Sequence, residues 1–193
     1  MCGRYYVDDE TAREIERIIR EVGQKLKISR TGDICPSVSA AVLTGRREHL
    51  TAEMMKWGFS QPNRSGLLIN ARAETVLERR TFRDSVLNRR CIIQAKHFYE
   101  WDKEKNKVSF YRNDQPVLYM AGFYNFLQGE DRFIILTTQA NASVMKVHDR
   151  MPLILEKKEL EDWVYDDRFL NFALHKTPSM LKKYQEYEQQ RLF

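Results

Sequence analysis

Four residue types that work together on carbonyl carbons are spread along this chain, each in a distinctive stretch. They are a cysteine in MCGR, an asparagine in INARAET, a glutamate in FYEW and a histidine in HDRMP. Cys2 stands directly behind the initiator methionine. Methionine is trimmed when the second residue is small, so the working chain is expected to lack Met1 and to begin at Cys2. An α-amine and a thiol then sit on adjacent carbons. An α-amine titrates at about 7.7–8.0, against about 10.4 for a lysine, so roughly a tenth of it is the neutral nucleophile at pH 7. Such a terminus attacks an aldehyde to give a Schiff base, and the thiol can then close a five-membered thiazolidine. The plain alternative is a cysteine without a role in a frayed terminus.

The other three stretches place polar groups where a strand leaves the core. Asn70, Arg72 and Glu74 alternate after an apolar run, which puts them on one face of an extended segment. Glu100 lies between Tyr99 and Trp101, and His148 stands two residues before Arg150. Each has an ordinary structural reading: Asn70 as a turn cap, Arg72 with Glu74 as an ion pair, Glu100 facing solvent, His148 on the surface. Taken together they supply a nucleophile, an orienting amide, a carboxylate and an imidazole. Arg4, Arg72 and Arg150 each stand two residues from Cys2, Asn70 and His148. Three guanidinium groups so placed suit a phosphate-binding floor.

The elements that must position these residues are mostly strands. DDETAREIERIIREVG reads as a helix capped by Asp8 or Asp9, with Ala12, Ile15, Ile18, Ile19 and Val22 on its apolar face and Gly23 at its end. SVSAAVL and HLTAEMMKWGF read as strands around the turn TGRRE, and LLIN as a short strand. ARAETVLERRTFRDSVLNR begins extended and ends helical. RCIIQAKHFYEW reads as one long strand, followed by strands at KVSFYR, PVLYMAGFYNF and RFIILTT. NASVMKVH suggests one or two helical turns, MPLIL a strand and EKKELEDWV a short helix. The tail from Pro178 reads as a polar helix. No βαβ alternation is present. The pattern predicts a single α+β domain over residues 1–193, built on a mostly antiparallel sheet or barrel with flanking helices.

Composition sets limits. The 193 residues are 42% hydrophobic and 31% charged, as in a folded globular domain, and the net charge of +5 is a mild bias toward polyanions. No apolar run is long enough for a membrane span, and no secretory leader is evident. The three cysteines, Cys2, Cys35 and Cys91, are odd in number and include no CxxC. That argues against a disulfide framework or a zinc knuckle, and points to a reducing, cytoplasmic setting.

MCGR, WGF, INARAET, FYEW and HDRMP, in this order, resemble the SOS response-associated peptidase (SRAP) family, over a span from Cys2 to about Leu155. The resemblance implies a protein that looks after abasic sites in single-stranded DNA. Its amino-terminal cysteine would form a thiazolidine crosslink with the ring-opened deoxyribose, with possible lyase activity and self-removal of the residue before it. It also implies roles. Asn70 would hold the α-amine, Glu100 would be general acid and base, and His148 would move protons at the sugar hydroxyl and assist reversal. Arg4, Arg72, Arg80 and Arg150 would grip phosphates. Trp57, Phe59 or Met54 would stack on bases beside the lesion. No cofactor or metal is implied, and a monomer is expected. The stretches GDICPS and SQPNRSGLL depart from the family pattern. Three rival readings share these residues. One is an amide hydrolase with an amino-terminal cysteine nucleophile, which has no need of an arginine beside each catalytic group. Another is a non-covalent single-strand-binding module. The third is a metal enzyme using Cys2, Glu100 and His148, which no sequence-local ligand pair supports.

Overall fold

A computed structural model describes residues 2–20, 31–46, 48–61 and 65–185. The chain opens with strand β1 (Tyr5–Val7) and helix α1 (Asp9–Arg20), then β2 (Gly32–Ile34), β3 (Ser39–Thr44), β4 (Thr51–Trp57), β5 (Phe59–Ser60), β6 (Leu67–Leu68) and β7 (Asn70–Arg72). Helix α2 (Arg80–Asn88) leads into β8 (Arg90–Ala95), β9 (His97–Trp101), β10 (Lys107–Tyr111), β11 (Leu118–Leu127) and β12 (Glu130–Gln139). The short strands β13 (Arg150–Pro152) and β14 (Ile154–Leu155) precede α3 (Leu160–Tyr165), α4 (Asp167–His175) and β15 (Lys182–Gln185).

Strands β12, β4, β3, β8 and β11 pair in that order, and β11 returns to β12 to close a barrel. Most pairings are antiparallel; β4 and β7 run parallel to β12. A second sheet has the order β15-β10-β9-β1-β2. The predicted α+β class with a sheet or barrel core therefore holds.

Strands β8 and β11 and the middle of β12 are apolar almost without alternation because both of their faces are buried, whereas β4 carries Glu53 and Lys56 and exposes Met54. Neighbouring residues divide between two cores. Val42, Ile93 and Ile135 pack with Tyr5, Phe98 and Phe110 of the second sheet. Leu43, Ile92 and Ile134 pack with Ile15 and Ile19 of α1, Val86 of α2 and Trp163 of α3. Helix α1 starts where expected: the Asp8 carboxylate accepts from the Thr11 N–H and hydroxyl at 2.8 and 2.7 Å. The expected end of this helix, Val22 and Gly23, lies outside the described residues.

Two expectations need correction. RCIIQAKHFYEW is two strands, because at Lys96 the chain changes sheets. The Lys96 N–H donates to the Tyr6 carbonyl at 2.8 Å, and β9 continues on β1 rather than beside β11. The tail is not helical where described. Residues 182–185 form β15 on the open edge of β10, with Val108 opposite Gln185 and Tyr111 opposite Lys182. Lys182, Lys183 and Tyr184 are exposed, as an edge strand allows. A polar segment carries no apolar period, so the ladder offered by β10 decides its conformation.

One buried charge ties the helices to the barrel. Arg90, at the start of β8, is 6% exposed. Its guanidinium donates to the carbonyls of Leu87, Trp163 and Val164 at 2.9, 2.6 and 3.2 Å and pairs with Asp167 at 2.8 Å. Arg90→Met strands these carbonyls and is expected to lower unfolding stability by roughly 3 kcal/mol. Urea titration followed by tryptophan fluorescence reads this; a midpoint unchanged from the parent would show that the carbonyls find other partners.

Candidate active site

The site forms where β1, β7, β9 and the loop before β13 converge. Cys2 is completely buried, and its Sγ lies 3.8 Å from the Arg4 carbonyl oxygen. Burial pushes the thiol well above its ordinary range, and the Glu100 carboxylate adds to the shift. The resting group is the thiol, not a thiolate.

Asn70 opens the three-residue strand β7, opposite Ile135 of β12. Its Nδ2 donates to the Cys2 carbonyl at 2.9 Å, so the amide grips residue 2. Its Oδ1 is buried and accepts no hydrogen bond from a described residue. Strand pairing on both sides places Glu100 in β9, with Val108 of β10 across from it. Glu100 is only 3% exposed, so it does not face solvent. Burial raises its carboxyl above the usual range.

His148 ends the helical turns that the sequence suggested at NASVMKVH; its N–H donates to the Val144 carbonyl at 3.0 Å. Its Nδ1 accepts from the Arg150 N–H at 2.9 Å and lies 3.0 Å from Asp149 Oδ1. One nitrogen cannot accept the first and donate to the second at once. The backbone donor is held in β13 whereas the Asp149 side chain is 78% exposed, so the Arg150 contact governs the neutral ring. Its proton is therefore on Nε2.

Of the arginines expected to meet phosphates, Arg150 is turned to protein groups. Arg150 is 12% exposed and is bonded in both arms to Glu74 at 2.7 Å, with a further 2.7 Å bond to the Thr137 carbonyl. Its guanidinium is engaged with protein groups. Arg4 pairs with Asp33 at 3.5 Å and lies over the Trp101 ring at 5.6 Å. Arg72 and Arg80 are exposed, Arg80 as the first residue of α2. Glu74, which the ordinary structural reading would pair with Arg72, is joined to Arg150 instead.

Trp57 is a correction. It is fully buried, its indole N–H donates to the Ile69 carbonyl at 3.0 Å, and it stacks on Phe133. It is unavailable to a base, as is Phe59 at 2% exposure; of the three, only Met54 is exposed, at 51%. The WGF stretch is a fold motif. Gly58 takes φ +104°, and its N–H donates to the Phe133 carbonyl at 2.8 Å as the chain leaves the barrel.

Two contributors escaped the sequence reading. Asp33 accepts from the Tyr99 hydroxyl at 2.9 Å as well as pairing with Arg4. The Tyr5 hydroxyl is buried, and burial holds it above its ordinary range. Alternation sets Tyr5 and Tyr6 on opposite faces of β1, but two identical residues do not tell which one turns inward. Among the described residues no three His, Cys, Asp or Glu side chains cluster as a metal site.

The motif order and this geometry meet in one comparison. The family model described as SOS response associated peptidase (SRAP) matches residues 1–191. The chain belongs to the SRAP family. Among curated relatives, the abasic site processing protein YedK of Escherichia coli is 30% identical over 180 residues, covering 85% of this chain and 79% of that protein. The abasic site processing protein YoqW of Bacillus subtilis is 29% identical over 179 residues, covering 85% and 80%. A SRAP-family chain is also expected to share a fold with solved structures. A protein from Bordetella bronchiseptica superposes with a TM-score of 0.79 at 22% identity, covering 97% of this chain and 100% of that one. No described helix is long and apolar enough to cross a membrane.

Proposed function

We propose that this protein senses and shields abasic sites in single-stranded DNA through a covalent thiazolidine at Cys2. The α-amine freed by loss of Met1 adds to the aldehyde of the ring-opened deoxyribose, and water leaves to give an imine. The Cys2 sulfur then adds to the imine carbon while the thiol proton passes to nitrogen. One water is released, and one C–N and one C–S bond are formed.

The observation that carries the reading is the grip of Asn70 on residue 2 beside the buried Glu100. The Asn70 Nδ2 bond orients the Cys2 backbone, and Oδ1 is the acceptor for the α-amine. A carboxyl kept protonated to higher pH suits the general acid that opens the sugar and removes water from the carbinolamine. His148, carrying its proton on Nε2, exchanges protons with the sugar hydroxyl and assists reversal. Arg72, Arg80 and Arg4 meet phosphates flanking the lesion. The raised thiol favours this order, amine first and sulfur second, over an amide hydrolase, which needs a thiolate or a paired base at the sulfur. The relatives named as abasic site processing proteins support the same substrate.

A denaturing gel tests it. Purified protein is mixed with a labelled single-stranded oligonucleotide carrying one abasic site, beside an intact control. Intact mass spectrometry of the same sample checks that Met1 is absent. A slow band that survives boiling and requires the lesion is expected. Its absence, with Met1 gone, would overturn the covalent reading and favour a passive binder.

A further inference from the structure

We infer that Glu74 is a positioning residue for His148, clamping both feet of the loop that presents the imidazole. This inference rests on the role given to His148 above. The loop runs from the end of β12 to the start of β13, and the two strands pair with Gln139 opposite Arg150. One carboxylate reaches both ends of that pair. Glu74 Oε1 accepts from the Gln139 N–H at 3.2 Å, and both oxygens accept from the Arg150 guanidinium at 2.7 Å. The Thr138 hydroxyl adds a long contact of 3.5 Å. Arg150 is thereby held at its side chain by Glu74 and the Thr137 carbonyl, and its N–H is the donor to His148 Nδ1.

The geometry links two catalytic groups through one segment. Asn70 at the start of β7 grips Cys2, and four residues later Glu74 grips the loop of His148. The span from β7 to Glu74 thus sets the distance between the cysteine and the imidazole. Glu74 also neutralises a guanidinium that would otherwise stand uncompensated beside the ring. Burial works against the charge of Glu74, yet Arg150 prevails and holds the carboxyl below its usual range. The pair therefore stays ionised through the neutral pH range. Glu74 acts on the ring only through the Arg150 N–H; at metal sites, partners that orient an imidazole directly change affinity or rate about 10–100-fold when removed, and that range bounds the effect here.

Glu74→Gln and Glu74→Asp test the assignment with two readouts. The first needs no DNA: nitrogen-15 shifts of the histidine ring, with His148 assigned by its loss in His148→Gln. The parent is expected to show His148 with Nδ1 unprotonated and Nε2 protonated, and Glu74→Gln to show a mixture of tautomers. The second is the crosslinking rate at saturating abasic oligonucleotide beside the affinity for undamaged single strands. Glu74→Gln is expected to lose about 10–100-fold in rate, with affinity kept or raised because Arg150 is released. Glu74→Asp, which retains the charge, is expected to recover part of the rate. An unchanged tautomer and rate in a folded Glu74→Gln protein would overturn the inference. Should Glu74→Gln not fold, Arg150→Lys, which loses the two-armed grip, is read in its place with the same outcomes. The ring shifts stand whether or not a crosslink forms, so failure of the clamp and failure of the crosslinking function are told apart.

Discussion

Cys2→Ala protein mixed with abasic single-stranded DNA is expected to leave no band that survives boiling. The reason lies in the second bond. An imine to the α-amine hydrolyses in hot denaturant, whereas the ring closed by sulfur removes the C=N carbon from easy attack by water. Alanine keeps the amine and loses the sulfur. It is also small enough to be exposed by methionine trimming. Borohydride is therefore expected to restore a band with Cys2→Ala, because it reduces the imine to a stable amine. The combination separates the two atoms of the nucleophile. No band in either condition would mean that the amine does not reach the aldehyde. A boiling-stable band without borohydride would place the covalent bond on another residue. A hydrolase with a cysteine nucleophile would give neither band in the parent protein.

The second large effect is expected at Glu100. Glu100→Gln removes a proton donor but keeps the shape, so the crosslinking rate is expected to fall by about 10²–10⁴-fold. The rate of the parent should also fall as pH rises through the raised pKa of this carboxyl, and the Glu100→Gln rate should lack that limb. Stability of the parent declines with pH as well. Burial raises the folded carboxyl above its unfolded range, so between the two values the native state holds a proton that the unfolded state has lost. The stability of the parent then declines with pH across that window. It is greatest below the unfolded pKa and is lost as pH passes the folded one. Glu100→Gln has no such decline, and above the window it is expected to melt higher than the parent. Thermal unfolding from acid to alkaline pH reads this, and parallel curves for the two proteins would refute a raised Glu100.

The fold was largely readable because β8, β11 and the middle of β12 are continuous apolar runs between strong turn signals. The sheet change at Lys96 was not, since nothing in QAKHF distinguishes a strand that continues from one that crosses to new partners. Nor was β15: its residues are polar, and its conformation is set by the free edge of β10. The site follows the same division. Cys2, Asn70, Glu100 and His148 carry chemistry in their own types, so they could be singled out from the sequence. The role of Arg150 was not. An arginine two residues from a histidine looks equally ready for a phosphate or a carboxylate, and only the fold brings Glu74 against it. Trp57 misled for a similar reason, because an indole next to glycine is as fit for the core as for a base.

The sheet order β15-β10-β9-β1 has a consequence for synthesis. Strand β1 is made almost first and β15 last, yet they belong to one sheet, with the Glu100 strand between them. On the ribosome β1 can pair early with β2 but waits for β9 on its other side, and the sheet is not finished before residue 185 is out. A nascent chain thus carries Cys2 well before it carries all the strands of the sheet that lies over it.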